Sequence, residues 1–495
     1  MTIPRAIEAP VRVLWLMAAL WVCSCGDPPA EHRSAGANES GSAQSVRHPQ
    51  KSGADSARPA GQKILYIVVD ALRADRLGCY GGPKDISPSI DGIAAEGVLF
   101  ESVHAASPWT APSFGTLFTG VSPTVHGAGG MLARGSREGA DIHGVTVGGI
   151  RTHLATMAEL LSGTMRTAAV VNNAFVTKEL GFARGFDHFD FRIARLTRYR
   201  TADATTDAAV AWLKDNGDNP FFLLVHYFDP HIQYGPPAKY VAMFAKDRPP
   251  RIAVPFVDHG AARDGSLDPD EREKAFIRGL YNGEVRFADD EIGRLLAVMK
   301  QSGRLEDTWI VVLSDHGEEH FEHGSFEHGH RYEEEVVRVP FILRAPGGRW
   351  HAGRRIPANV SHIDVLPTML EIAGVASPAH LEGHSVLAML DNPRPSNRPS
   401  YMEFNLFNGQ QCAFYDGRYK IIHDLRRNSA FMYDLREDPE EQHRLDGNHP
   451  AFSAVEKQLQ SRRARLMSVA SGRPDNDAAM SGEAGEALRS LGYIE

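Results

Sequence analysis

Cysteine is scarce, with four in 495 residues, and that excludes a disulfide scaffold. Basic residues do not predominate: 53 Lys and Arg stand against 62 Asp and Glu, a net charge of −9. With no basic stripe, nucleic acid is not an expected partner. Long apolar runs are lacking as well. Arg5 and Arg12 flank a run from Val13 to Val22, and about ten apolar residues cannot span a bilayer that needs about 20. Positive charge followed by a short apolar run reads as an export signal. The remainder, 42% hydrophobic and 23% charged, has ordinary globular composition, which rules out collagen-like, coiled-coil and wholly disordered chains.

The run ends Val22-Cys23-Ser24-Cys25-Gly26, which resembles a bacterial lipoprotein signal. The resemblance implies removal of residues 1–24 and a lipid anchor on Cys25; the alternative is an ordinary cleaved signal. Either makes this an exported bacterial protein, membrane-anchored in the first case and periplasmic or secreted in the second. Residues 25–61 are rich in Ser, Ala, Gly and Pro. Such a segment buries too little apolar surface to fold and reads as a tether. Cys79 and Cys412 remain, and an oxidising compartment would allow them to pair without requiring it.

Three continuous apolar runs each end near aspartate: Lys63–Val69 before Asp70, Phe221–Phe228 before Asp229, and Trp309–Leu313 before Ser314 and Asp315. Runs without alternation suit strands covered on both faces, as in parallel sheets. Helical stretches lie between them, Ala202–Asp215 and Glu271–Ser302, the second with Phe276, Leu280, Phe287, Ile292, Leu295 and Met299 near helical spacing. Strands alternating with helices predict an α/β fold, a large mostly parallel sheet sandwiched by helices. Ligands in such sheets bind beyond the carboxyl ends of the strands. Three carboxylates there, one followed by His316, point to a cation site.

Between the first two runs, Thr110-Ala111-Pro112 opens a predicted helix that Gly120 closes, with Thr110 as its N-cap. A helix N-terminus favours an anion, and a hydroxyl there becomes a nucleophile when a metal lowers its pKa. His316, His320, His323, His328 and His330 crowd one loop among Glu318, Glu319, Glu322 and Glu327. His320 and His323 read as members of a solvated face. His231, in an Asp-Pro-His turn, is a candidate for touching the ester, and His126 a weaker one. Asp364, before an apolar run, reads as a helix cap.

The segments IVVDALRADRLGCYG (67–81), SIDGIAAEGVLF (89–100), VHYFDPHIQYGPP (225–237), YNGEVRFADDEIGRLL (281–296), SDHGE (314–318), YEEEVVRVPFILRAP (332–346) and ALRSLGYIE (487–495), together with residues 111–120, resemble the sulfatases of the alkaline phosphatase superfamily in kind and order. The resemblance runs from Lys63 to the C-terminus. It has departures. Sulfatases place Cys or Ser, the formylglycine precursor, where this chain has Thr110, an Arg where it has Phe114, and a second Asp where it has Ala71. Thr110 matches the phosphodiesterases and phosphoethanolamine transferases of the same superfamily, whose carboxylate, Thr, Asp and His ligands map onto Asp70, Thr110, Asp315 and His316. Hard oxygens with one imidazole suit Ca²⁺, Mn²⁺, Mg²⁺ or Zn²⁺ alike. Relatives with two metals add an Asp-x-x-x-His pair; here Asp229 is followed four residues on by Gln233, so one divalent metal ion is expected.

The resemblance further implies active-site roles for His328 and His330. It also implies an ester contact for Asn172 and Asn173, where sulfatases often carry a lysine. Past Arg398, short strands Gln411–Tyr415, Lys420–His423 and Phe431–Tyr433 and a helix Ala454–Leu466 resemble the small C-terminal antiparallel sheet-plus-helix subdomain of that family. The expected organisation is a signal over 1–24, a tether over 25–61, a catalytic domain over 62–397 and a C-terminal subdomain over 398–495. The expected function is metal-dependent hydrolysis or transfer at a phosphate ester of a small molecule, lipid or glycan. The alternatives are sulfate-ester hydrolysis without formylglycine and a non-catalytic binding protein that retains the fold.

Overall fold

The strand Lys63–Val69 (β1) sends Leu65, Ile67 and Val69 into one apolar layer and Ile64, Tyr66 and Val68 into another. Period-two alternation in an all-apolar run therefore feeds two cores, one on each face of the sheet. The structure, a computed structural model, describes residues 62–132, 140–142, 145–192, 200–348, 350–391, 398–406 and 410–471. The expected signal, Cys25 anchor, tether and terminal ALRSLGYIE segment lie outside the described residues.

The main sheet adds Val98–His104 (β2), Arg166–Val171 (β3), His188–Phe191 (β4), Phe221–Tyr227 (β5), Thr308–Leu313 (β6), Phe341–Arg344 (β7) and Arg354–Ser361 (β8). Its spatial order is β8-β2-β7-β6-β1-β5-β3-β4. Only β7 runs against its neighbours, so the mostly parallel sheet stands as expected. On one face lie the helices Ala202–Asn216 and Glu271–Gln301; on the other lie Thr110–Thr119 and Val365–Ala373. The long helix starts where it does because Asp270 and Glu273 form a reciprocal box: Glu273 N–H donates to Asp270 at 2.9 Å and Asp270 N–H to Glu273 at 3.0 Å.

The antiparallel C-terminal sheet is built from Ser400–Glu403 (β9), Gln411–Tyr415 (β10), Tyr419–Asp424 (β11) and Ser429–Asp434 (β12), beside the helix Phe452–Ser471. β9 is the strand that sequence patterning misses. Cys79 and Cys412 are both free thiols, so no disulfide joins them.

Candidate active site

β6, β1, β5 and β3 are neighbours and parallel, so their carboxyl ends deliver Asp315, Asp70, His231 and Asn173 to one rim. The helix Thr110–Thr119 brings its N-terminus there. Trp109, extended at φ −157°, is the N-cap; Thr110 is the first helical residue rather than the cap. This corrects the sequence expectation, and Trp109 offers no capping oxygen. Gly115 lets this helix pack tightly, since a Cβ there would lie 2.3 Å from His126.

The side chains converge. Thr110 Oγ1 donates to His316 Nε2 at 3.3 Å. Asn173 Nδ2 donates to Asp70 Oδ2 at 2.7 Å and to Thr110 Oγ1 at 3.3 Å. His316 Nε2 stands 3.5 Å from Asp70 Oδ1 and 3.5 Å from Asp315 Oδ2. Ligand atoms of Asp70, Asp315 and His316 all lie within 4.8 Å of one another. His316 Nδ1 bonds to the Gly317 carbonyl at 2.9 Å, which leaves the Nε2 lone pair facing the cluster. Asp70 Oδ1 and Asp315 Oδ2 are buried without a hydrogen-bond partner. Two bare carboxylate oxygens and an imidazole lone pair, all shielded from water, form a donor set fitted to a hard cation.

The electrostatics agree. Burial pushes the Asp70 carboxyl up, but His231, His226 and His316 outweigh it and hold Asp70 well below the usual range. Burial, then the Asp70 charge, pushes Asp315 well above it. The two carboxyls are thus driven in opposite directions, a split that a cation between them would oppose. Burial also pushes His316, His231 and His328 below the ordinary imidazole value.

His231 and His328 flank the cluster. Their ring centroids are 4.8 Å apart, and His328 lies 4.3 Å from the His316 ring. His231 Nδ1 bonds to the Ile232 carbonyl at 2.8 Å. His328 Nδ1 shares a 2.8 Å hydrogen bond with Glu318, which also accepts from Tyr234 at 3.0 Å. His330 sits further out, its Nε2 on Glu319 at 3.0 Å.

Other candidates go elsewhere. Asn172 donates to Thr205 at 2.9 Å and to the His226 carbonyl, so of the two asparagines only Asn173 reaches the cluster. Asp229 pairs with the buried Glu284, and burial raises both carboxyls; two of the three strand-end aspartates, not three, face the cation position. His126 bonds Thr116 at 3.1 Å within the core. His320 is buried against Tyr234 and Tyr281, which corrects its reading as part of a solvated face. Asp364 stands at the N-cap position of the helix Val365–Ala373 without a side-chain capping bond to it, which corrects its reading as the cap; its carboxylate accepts instead from the Ser361 N–H at 3.1 Å and the His384 N–H at 2.9 Å. The residue that sequence reading missed is His226, inside β5, with Nε2 3.2 Å from Asp70 Oδ2. Its position within an apolar strand was the signal available.

A hydroxyl at a helix N-terminus, a compact Asp-Asp-His cluster at the carboxyl rim and an appended antiparallel sheet define the α/β class of the alkaline phosphatase superfamily. The comparisons narrow this. The sulfatase family model matches residues 62–375, and a model described as N-sulphoglucosamine sulphohydrolase, C-terminal, matches residues 321–468. The chain belongs to the sulfatase family and is an ester hydrolase. It is similar to the uncharacterized sulfatase YidJ of Escherichia coli, with 26% identity over 77% of this chain and 82% of that protein. It is 30% identical to the multifunctional alkaline phosphatase superfamily protein PehA of Trinickia caryophylli, over 50% of this chain and 56% of that one. In fold it matches the phosphonate monoester hydrolase of Agrobacterium radiobacter, TM-score 0.65 at 20% identity, covering 82% of this chain and 96% of that one. Among the described residues, no helix is long and apolar enough to cross a membrane.

Proposed function

We propose that this chain cleaves a monoanionic phosphorus ester, a phosphodiester or phosphonate monoester, with Thr110 as nucleophile. Asp70, Asp315, His316 and Thr110 would hold one divalent cation. The observation that carries this reading is the meeting of Thr110 Oγ1 with His316 Nε2 beside two partnerless carboxylate oxygens. A divalent cation there supplies hydroxyl activation and charge neutralisation.

The protein's own groups supply the rest. Asn173 orients the Thr110 oxygen. That oxygen forms the bond to phosphorus as the bond to the leaving alcohol breaks. His328 or His231 takes the proton that the Thr110 hydroxyl loses and passes it to the departing oxygen, then acts as base toward the water that frees Thr110. Among the described residues, the polar contacts of the four cation-holding side chains come from asparagine, histidine and backbone, with no lysine or arginine. Two carboxylates against one divalent cation leave no surplus positive charge, which suits an ester with one negative charge better than one with two. The resemblance of PehA and of the phosphonate hydrolase fold supports phosphorus. Family membership favours the second reading, a sulfate ester, which is also a monoanion.

The signal over 1–24, the Cys25 lipid anchor, the 25–61 tether and a division into 62–397 and 398–495 complete the proposal. It is an exported, membrane-tethered enzyme whose C-terminal subdomain borders the cleft. The test is Thr110→Ala on methyl p-nitrophenyl phosphate and p-nitrophenyl sulfate. We expect kcat/KM to fall by at least about 10³-fold. Undiminished turnover overturns the nucleophile. Wild-type sulfate release that outruns phosphorus cleavage replaces the first reading with the second.

A further inference from the structure

His226 is fully buried in the middle of the sheet. Its ring meets Phe114 edge-on, with centroids 5.1 Å apart. The Asn172 N–H points at its Nδ1 from 3.5 Å, so Nδ1 is the accepting nitrogen and the ring proton sits on Nε2. That Nε2 stands 3.2 Å from Asp70 Oδ2, off the line of an aligned hydrogen bond.

The two oxygens of Asp70 are treated differently. Oδ2 takes the Asn173 amide at 2.7 Å and faces His226. Oδ1 has no partner and lies on the His316 side, 3.5 Å from Nε2. With the Asn173 amide bonded to Oδ2 and the His226 ring nitrogen close against it, the carboxylate presents Oδ1 in a fixed direction. His226 therefore meets Asp70 on Oδ2, while the other oxygen, Oδ1, is the one near His316.

We infer that His226 is a positioning residue for the cation site: its Nε2–H turns the Asp70 carboxylate so that Oδ1 faces the bound divalent ion. The inference rests on the cation reading above and adds a residue to it. Groups of this kind change metal affinity about 10- to 100-fold when removed.

The experiment measures Mn²⁺ affinity of the full chain by competition with a fluorescent chelator, for wild type, His226→Ala and His226→Gln. Glutamine carries an N–H near the Nε2 position. We expect His226→Ala to weaken Mn²⁺ binding at least about tenfold and His226→Gln to stay within about threefold of wild type. If circular dichroism shows His226→Ala unfolded, His226→Phe keeps the ring against Phe114, lacks the donor, and carries the same expectation. Equal affinity in wild type and the donor-less variant overturns the inference alone. A loss in His226→Gln as large as in the donor-less variant also overturns it, because ring packing is then the cause. Failure of wild type to bind any of Mn²⁺, Ca²⁺, Mg²⁺ and Zn²⁺ overturns the cation reading itself, a separate result.

Discussion

At the scale of single residues, proton positions in this loop-rich rim follow from what each imidazole bonds. His316 and His231 lose basicity because burial outweighs the Asp70 charge, and His328 because burial and then the neighbouring His316 and His231 rings all oppose its charge. His323 goes the other way. Burial opposes its charge, but the Glu335 carboxylate 2.7 Å from Nδ1 outweighs that and raises the ring to about 9. Burial raises Glu335 too, which trims the gain without reversing it. The folded value lies above the unfolded value of about 6.5. The pair therefore stabilises fully below about pH 6.5 and stops stabilising as pH rises through about 9. The side chain is 9% exposed, and the screening that reaches the pair limits the effect to about 1–2 kcal/mol. Urea unfolding at pH 7 and pH 10 should show wild type losing that much more stability than His323→Gln; equal losses would exclude the pair as the cause. The same residue shows where sequence falls short. Five histidines within fifteen residues look alike in a string, and only their carboxylate neighbours separate a charged surface ring from a buried one.

At the scale of elements, the turn after β6 shows how backbone packing aims ligands. Gly317 follows His316 and is stitched down on both sides. Its N–H donates to the Val336 carbonyl at 2.7 Å and the next N–H to the Glu335 carbonyl at 2.9 Å. A Cβ at Gly317 would lie 2.2 Å from that Glu335 oxygen, which is backbone and cannot swing away. Gly317→Ala should therefore cost about 1–3 kcal/mol and lower kcat/KM by moving Asp315 and His316, while Gly163→Ala, with open space around its site, should do neither. Denaturation midpoints and steady-state rates on one ester check both. The elements themselves were largely legible. Unbroken apolar runs give β1, β5 and β6, and the helical spacing of Phe276, Leu280, Phe287, Ile292, Leu295 and Met299 gives the long helix. Asp70, Thr110, Asp315 and His316 were legible through resemblance and strand-end position. His226 and the divergence of Asn172 from Asn173 were not. Which strand neighbours which sets those contacts, and sheet order β6-β1-β5-β3 is not written in any local stretch.

At the scale of the molecule, the C-terminal sheet is joined to the main body by buried charge as well as by apolar packing. Lys420 in β11 is fully buried, with Nζ 2.9 Å from Glu334 and 2.6 Å from Glu441. Glu334 also faces His104 of β2 at 3.1 Å, and its N–H donates to Glu441 at 2.6 Å. Burial opposes every charge here. Lys420 nonetheless holds Glu334 far below the carboxylate range, while burial pushes Glu441 well above it. Removing the cation would strand Glu334 without its partner, the expensive way to break such a cluster. Lys420→Met, which keeps most of the side-chain volume, should therefore lower unfolding free energy by about 3–5 kcal/mol. Because Glu334 opens the short helix that continues from the histidine loop, the loss should spread to the site and reduce kcat/KM along with stability. Exposed Arg418, paired with Asp434 at 2.6 Å on the same sheet, provides the contrast: Arg418→Met should leave both nearly unmoved. If Lys420→Met unfolds at the same denaturant concentration as wild type, buried charge does not hold the two sheets together, and apolar contact alone must carry the junction.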